Sequence, residues 1–162
     1  MMNLSRLWLV FFTDGIKIKG YKEVLRPGIF ARWLPLGWKH CCMASFYSEK
    51  NVWVCFDPAR PCSYILVLTP EEFNRVLERM LAKASSILEI QSFTERRWSP
   101  TWASCTGQVK GMLGIRSWAI TPWQLHRALL RRGAKELLEK NHGEIPADPP
   151  GVPGDDLARQ GQ

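Results

Sequence analysis

Two strand-like runs, Trp38 to Tyr47 and Val52 to Asp57, stand on either side of the polar tetrapeptide Ser48-Glu49-Lys50-Asn51. This pattern restricts the chain more than any other, because two apolar, β-favouring runs joined by so short a polar link pair as an antiparallel hairpin. A further apolar run, Tyr64 to Leu68, follows Pro58 and Pro61 and extends the hairpin into a meander. An earlier run, Leu7 to Phe12, reads as a first strand. Asp14, Lys17 and Lys19 interrupt it well short of the roughly 20 apolar residues a membrane helix needs.

The helices announce themselves by their first turns. Thr69-Pro70-Glu71-Glu72 supplies a capping hydroxyl, a proline at the first helical position and a carboxylate at the third, which predicts a helix to about Ala84. Ile87 to Phe93 reads as a returning strand. After a Trp-, Arg- and Pro-containing loop from Thr94 to Ala103, a helix is expected from Cys105 to near Gly114. Thr121-Pro122-Trp123-Gln124 repeats the cap signature and predicts a last helix to roughly Lys140. The expected class is α+β, an antiparallel sheet flanked by helices. It forms one domain over residues 1–140, followed by a disordered Pro/Gly-rich tail over 141–162.

Composition narrows the function classes. The net charge of +7 admits an acidic partner, but the basic residues are scattered and accompany no nucleic-acid motif, which argues against nucleic-acid binding as the primary role. The five Cys are odd in number, contain no Cys-x-x-Cys pair and follow no secretory signal. They read as free thiols of a reducing compartment. Cys41 and Cys42 are adjacent and point to opposite faces of their strand, so no metal site and no other cofactor is expected.

The chemistry is carried by three residues. Cys105 opens a helix, where partial positive charge and unsatisfied N–H groups favour a thiolate. Period-two alternation places Trp38, His40, Cys42, Ala44 and Phe46 on one face, and Trp53, Cys55 and Asp57 on one face of the next strand. A four-residue loop over Tyr47 to Lys50 would set Phe46 opposite Asn51 and His40 opposite Asp57, giving the histidine its carboxylate. A slip of one residue would separate them. Each residue also has an ordinary reading: a packed strand histidine, a strand-ending Asp-Pro turn, a buried thiol.

The order His40 on a strand, Asp57 on the following strand and Cys105 at a later helix start resembles the circularly permuted papain-like proteins of the NlpC and lecithin retinol acyltransferase type. Arg26-Pro27-Gly28, Gly37-Trp38-Lys39-His40-Cys41, Val54-Cys55-Phe56-Asp57-Pro58, the run from Cys105 to Ile115, and Thr121-Pro122-Trp123-Gln124-Leu125 also resemble uncharacterised proteins of bacteriophages and proteobacterial prophages. The resemblance covers most of residues 5–133. It implies Cys105 as nucleophile, His40 as general base and Asp57 as the orienting group of a cysteine hydrolase or acyl transferase. A peptide, a peptidoglycan fragment or an acyl compound would be the substrate, in the bacterial cytoplasm or the virion. Trp98 and Trp102, beside Arg96 and Arg97, could line the substrate groove. The other reading is a non-catalytic phage structural, assembly or binding protein on the same scaffold.

Overall fold

A computed structural model describes residues 7–14, 37–58, 63–92 and 104–140. Arg26 to Gly28, Cys62, Phe93, Arg96, Arg97, Trp98, Trp102 and the 141–162 tail lie outside the described residues.

Among the described residues six strands form one antiparallel sheet. They are β1 (Leu7–Thr13), β2 (His40–Tyr47), β3 (Val52–Asp57), β4 (Tyr64–Leu68), β5 (Ala84–Gln91) and β6 (Lys135–Glu139), in the order β4-β3-β2-β1-β5-β6. The helices are α1 (Pro70–Lys83), α2 (Cys105–Leu113) and α3 (Pro122–Arg131). The meander β2-β3-β4 is the expected one, and β1 joins it to β5 through pairing on both of its sides.

Alternation divides the core into two layers. Trp8, Val10, Phe12, Cys41, Met43, Phe56, Leu88 and Ile90 pack beneath Val109 and Leu113 of α2 and Leu125 and Leu129 of α3. Phe11, Cys42, Ala44, Cys55 and Ile87 face Phe73 and Met80 of α1. On that side Trp53 stacks on Phe73 with ring centroids 3.9 Å apart. The α+β expectation therefore holds, with helices on both faces.

Local signals explain the helix starts. The Thr69 hydroxyl accepts from the Glu72 N–H while the Glu72 carboxylate accepts from the Thr69 N–H, and Thr121 and Gln124 repeat the arrangement. The last helix differs from expectation. It ends at Arg131, and Lys135–Glu139 is the edge strand β6. Gly133 takes φ of 85°, with its N–H on the Leu130 carbonyl and the Ala134 N–H on that of Leu129. These bonds close the helix with a left-handed glycine. Residues 135–139, of helix-favouring composition, then find the free edge of β5, where Lys135 pairs opposite Glu89. Tertiary pairing overrides propensity here.

The seating of α2 follows from its buried face. Thr106, Val109, Lys110 and Leu113 form its buried face, while Met112 is 45% exposed. Met112 is rotated about 100° from Leu113 around the axis, outside the stripe that meets the sheet. Lys110 is buried with its ammonium donating to the carbonyls of Ser117 at 2.8 Å and Ala119 at 2.7 Å, which fastens the segment after α2 to the helix. Burial lowers its pKa.

Candidate active site

Cys105 is the first residue of α2. Ser104 caps the helix, its hydroxyl accepting from the Gly107 N–H at 3.1 Å. With that donor occupied, the Cys105 and Thr106 N–H groups are first-turn donors with no intrahelical acceptor, and they lie at the positive end of the helix. Val109 and Leu113 hold the axis against β2, so this end stands over the start of that strand.

His40 is the first residue of β2 and Asp57 the last of β3. Their pairing corrects the expected register. Phe46 lies opposite Trp53 and Met43 opposite Phe56, so the hairpin is displaced by two residues, and Asp57 falls across from Cys42 rather than His40. The cause is the turn. Tyr47 still pairs with Val52, Ser48–Lys50 forms one turn of 3-10 helix, and Asn51 closes it in the left-handed conformation, φ 51° and ψ 46°. A shift of two keeps every side chain on its face. His40 and Asp57 therefore become diagonal neighbours, and His40 Nε2 meets Asp57 Oδ1 at 2.6 Å. That is a close contact, just under the roughly 2.7–2.9 Å usual for a charge-assisted N–H···O bond.

The His40 ring is buried and Cys105 is partly buried. Burial opposes a positive charge on His40, but hydrogen bonds to Asp57 and Cys105 and the negative charge of both outweigh it and raise the imidazole to about 10. Cys105 moves the other way, down to about 4. The largest cause is a hydrogen bond from the Cys41 thiol. Burial works against the shift, and the hydrogen bond and charge of His40, with the Cys41 backbone N–H, complete it. At neutral pH the arrangement is a thiolate beside an imidazolium, backed by a carboxylate.

The structure thus brings together all three residues expected to carry chemistry, from three separate elements. It adds Cys41, whose sequence pattern marks it only as one of the free thiols. Burial raises the Cys41 pKa well above the ordinary range, so it stays a thiol and donates. The available signal was its place next to His40 at the mouth of the strand. Ser63 donates to the Gln108 side chain, tying the start of β4 to α2 close to Asp57 and Cys105. Trp98 and Trp102, expected in the groove, lie outside the described residues. Among the described residues no group of three or more His, Cys, Asp or Glu could hold a metal.

A second histidine forms a different kind of cluster. His126 of α3 meets Ser86 and Glu136, each at 3.0 Å, and Ser86 donates to Glu136 at 2.9 Å. Ser86 and Glu136 contact the same ring nitrogen, Nε2, so they do not stand on opposite nitrogens of the ring as the nucleophile and carboxylate of a triad do. Its ring also packs against Phe12, Trp38 and Trp123. The cluster anchors α3 to β5 and β6.

Comparison of the chain with protein-family models, with curated proteins and with solved structures finds no match. No helix among the described residues is long and apolar enough to cross a membrane.

Proposed function

We propose that this protein is a thiol-dependent hydrolase or acyl transferase acting on a peptide, a peptidoglycan fragment or another acyl compound, with a circularly permuted papain-like arrangement. Cys105 is the nucleophile, His40 the general base and acid, and Asp57 the group that orients the ring. The observation that carries the reading is the meeting of a first-turn cysteine with a buried histidine whose Nε2 is held 2.6 Å from a carboxylate.

Nε2 is engaged by Asp57, which leaves Nδ1 to exchange a proton with Cys105. The thiolate attacks the carbonyl, a C–S bond forms, and the oxyanion develops beside the Cys105 backbone N–H at the positive helix end. The His40 imidazolium then protonates the leaving amine or alcohol as the acyl-enzyme forms. Neutral His40 next removes a proton from water or another acceptor, whose oxygen or nitrogen displaces the sulfur. Asp57 holds the ring in one tautomer and balances its charge through both steps.

The test is turnover on a panel of peptides, esters and peptidoglycan fragments, with wild type and Cys105→Ser compared at equal thermal stability. Turnover that disappears in Cys105→Ser supports the reading. A folded Cys105→Ser variant with undiminished turnover eliminates it.

A further inference from the structure

Cys41 touches the reactive sulfur without acting as nucleophile, base or orienting group. It is fully buried in β2, in the core cluster against which Cys105 packs, and hydrogen bonding from its S–H is the largest cause of the lowered Cys105 pKa. Cys42 and Cys55 belong to the opposite core layer, against α1. Among the described thiols, Cys41 alone belongs to the core cluster against which Cys105 packs, and Cys105 is the partly exposed member of the pair.

We propose that Cys105 and Cys41 form an oxidative modification site, at which hydrogen peroxide or another hydroperoxide oxidises Cys105 and Cys41 closes on it as a disulfide that reversibly silences the nucleophile. The inference rests on the thiolate reading of Cys105 and requires no substrate. In the first step the thiolate attacks a peroxide oxygen. An S–O bond forms, the O–O bond breaks, and the departing hydroxide takes the His40 proton to leave as water. In the second step the Cys41 sulfur attacks the Cys105 sulfenic acid. An S–S bond forms, the S–O bond breaks, and the hydroxyl leaves with the Cys41 proton as a second water. The two sulfurs lose two electrons and the peroxide gains two.

Three features favour this order. Thiolates react with peroxide and thiols hardly do, so the ionised, partly exposed Cys105 is oxidised first and the buried, protonated Cys41 is spared. A sulfenic acid with a thiol in contact condenses to a disulfide, whereas an isolated one proceeds to sulfinic acid. The two cysteines lie on packed elements, α2 on β2, and in one core cluster, so closure joins neighbours of the folded core.

The full chain at neutral pH is treated with a small molar excess of hydrogen peroxide, alkylated and mapped by mass spectrometry without reduction. Wild type should lose two hydrogens, yield a joined Cys41–Cys105 peptide pair, and regain Cys105 reactivity with dithiothreitol. In Cys41→Ala, and in Cys41→Val, which keeps the buried bulk, Cys105 should proceed to sulfinic acid that dithiothreitol does not reverse. A wild type whose Cys105 reaches sulfinic acid as fast as in the variants, or whose disulfide joins another pair, overturns the proposal. The wild-type map decides even if neither variant folds. If it fails while Cys105 still reacts readily in acid, the hydrolase reading stands alone. A Cys105 that reacts as an ordinary thiol removes both.

Discussion

The thiolate at Cys105 has a signature in how its reactivity varies with pH, and the structure says where to look. At about pH 5 a thiol at about 4 is roughly nine-tenths ionised, whereas one at the ordinary 9.0 is ionised to about one part in 10⁴. The weaker base is also the weaker nucleophile. With a Brønsted coefficient of about 0.4–0.5, a five-unit fall in pKa slows each thiolate by about 100- to 300-fold in exchange with a disulfide. The net advantage at about pH 5 is therefore about 30- to 90-fold, and by about pH 7 it has vanished, because the ordinary thiol is then about a hundred times more ionised than at pH 5. A rate measured only at neutrality would miss the effect. The assay is exchange with a small neutral disulfide from acid to alkaline pH, with Cys105→Ser subtracted as the blank for the other thiols and the denatured chain as the ordinary reference. Native protein should show a rate that stays flat down to about pH 4. His40→Ala removes a hydrogen bond and a positive charge, so the plateau should recede toward higher pH. Adding Cys41→Ala leaves only the backbone N–H of residue 41 against burial and should move the plateau further toward alkaline pH. A native rate that climbs tenfold per pH unit through the acid range refutes the thiolate and the argument built on it.

The alkaline side follows from His40, whose folded pKa lies above its ordinary 6.5. Its ion pair is fully present below 6.5 and is lost as pH rises through about 10, so turnover and the stability it lends should fall there. Asp57→Asn removes the partner at 2.6 Å and should bring that alkaline limit down. It should also cost about 1.5–3 kcal/mol, or roughly 10- to 150-fold in kcat/KM, and an unchanged pH profile would deny Asp57 its role. Ser86→Ala breaks the buried contacts to His126 and Glu136 and should cost about 1–3 kcal/mol in urea unfolding while leaving the Cys105 exchange profile alone. A shifted profile would link the two histidine clusters. Gly133→Ala meets nothing within 4 Å of the added carbon, so its cost is the left-handed backbone alone, about 1–2 kcal/mol by urea midpoint. A much larger loss would mean the cap is not what ends α3.

Elements whose signals are local were legible from the sequence. The cap and proline at Thr69 and Thr121 fixed two helix starts, and β3 and β4 have the bounds that their apolar runs suggest. β6 was not legible, because Lys135 to Glu139 favours a helix by composition and becomes a strand only where Gly133 has ended α3 and β5 offers an edge. Pairing of His40 with Asp57 survived a wrong register because the error was two residues, which preserves faces, where an error of one would have destroyed it. Cys41 escaped notice for the converse reason. Alternation sends His40 and Cys41 to opposite faces, so pattern alone admits one of them beneath α2. Both act on Cys105, His40 from the first residue of β2 and Cys41 from the core layer against which α2 packs.

The reactive thiolate is consequently a property of the folded chain and of no segment within it. Cys105, His40, Asp57 and Cys41 come from α2, β2 and β3, and Cys105 lies far along the sequence from every side chain that holds its charge. Helix polarity alone could not do it, since a first-turn position contributes typically 0.3–1 kcal/mol, below one pKa unit. A fall from 9.0 to about 4 takes five such units, so the side-chain donors have to supply most of it against burial. They can do so only while Val109 and Leu113 keep α2 seated on β2. The same core that stabilises the sheet thereby sets the acidity of the thiol, because it alone brings these groups to Cys105.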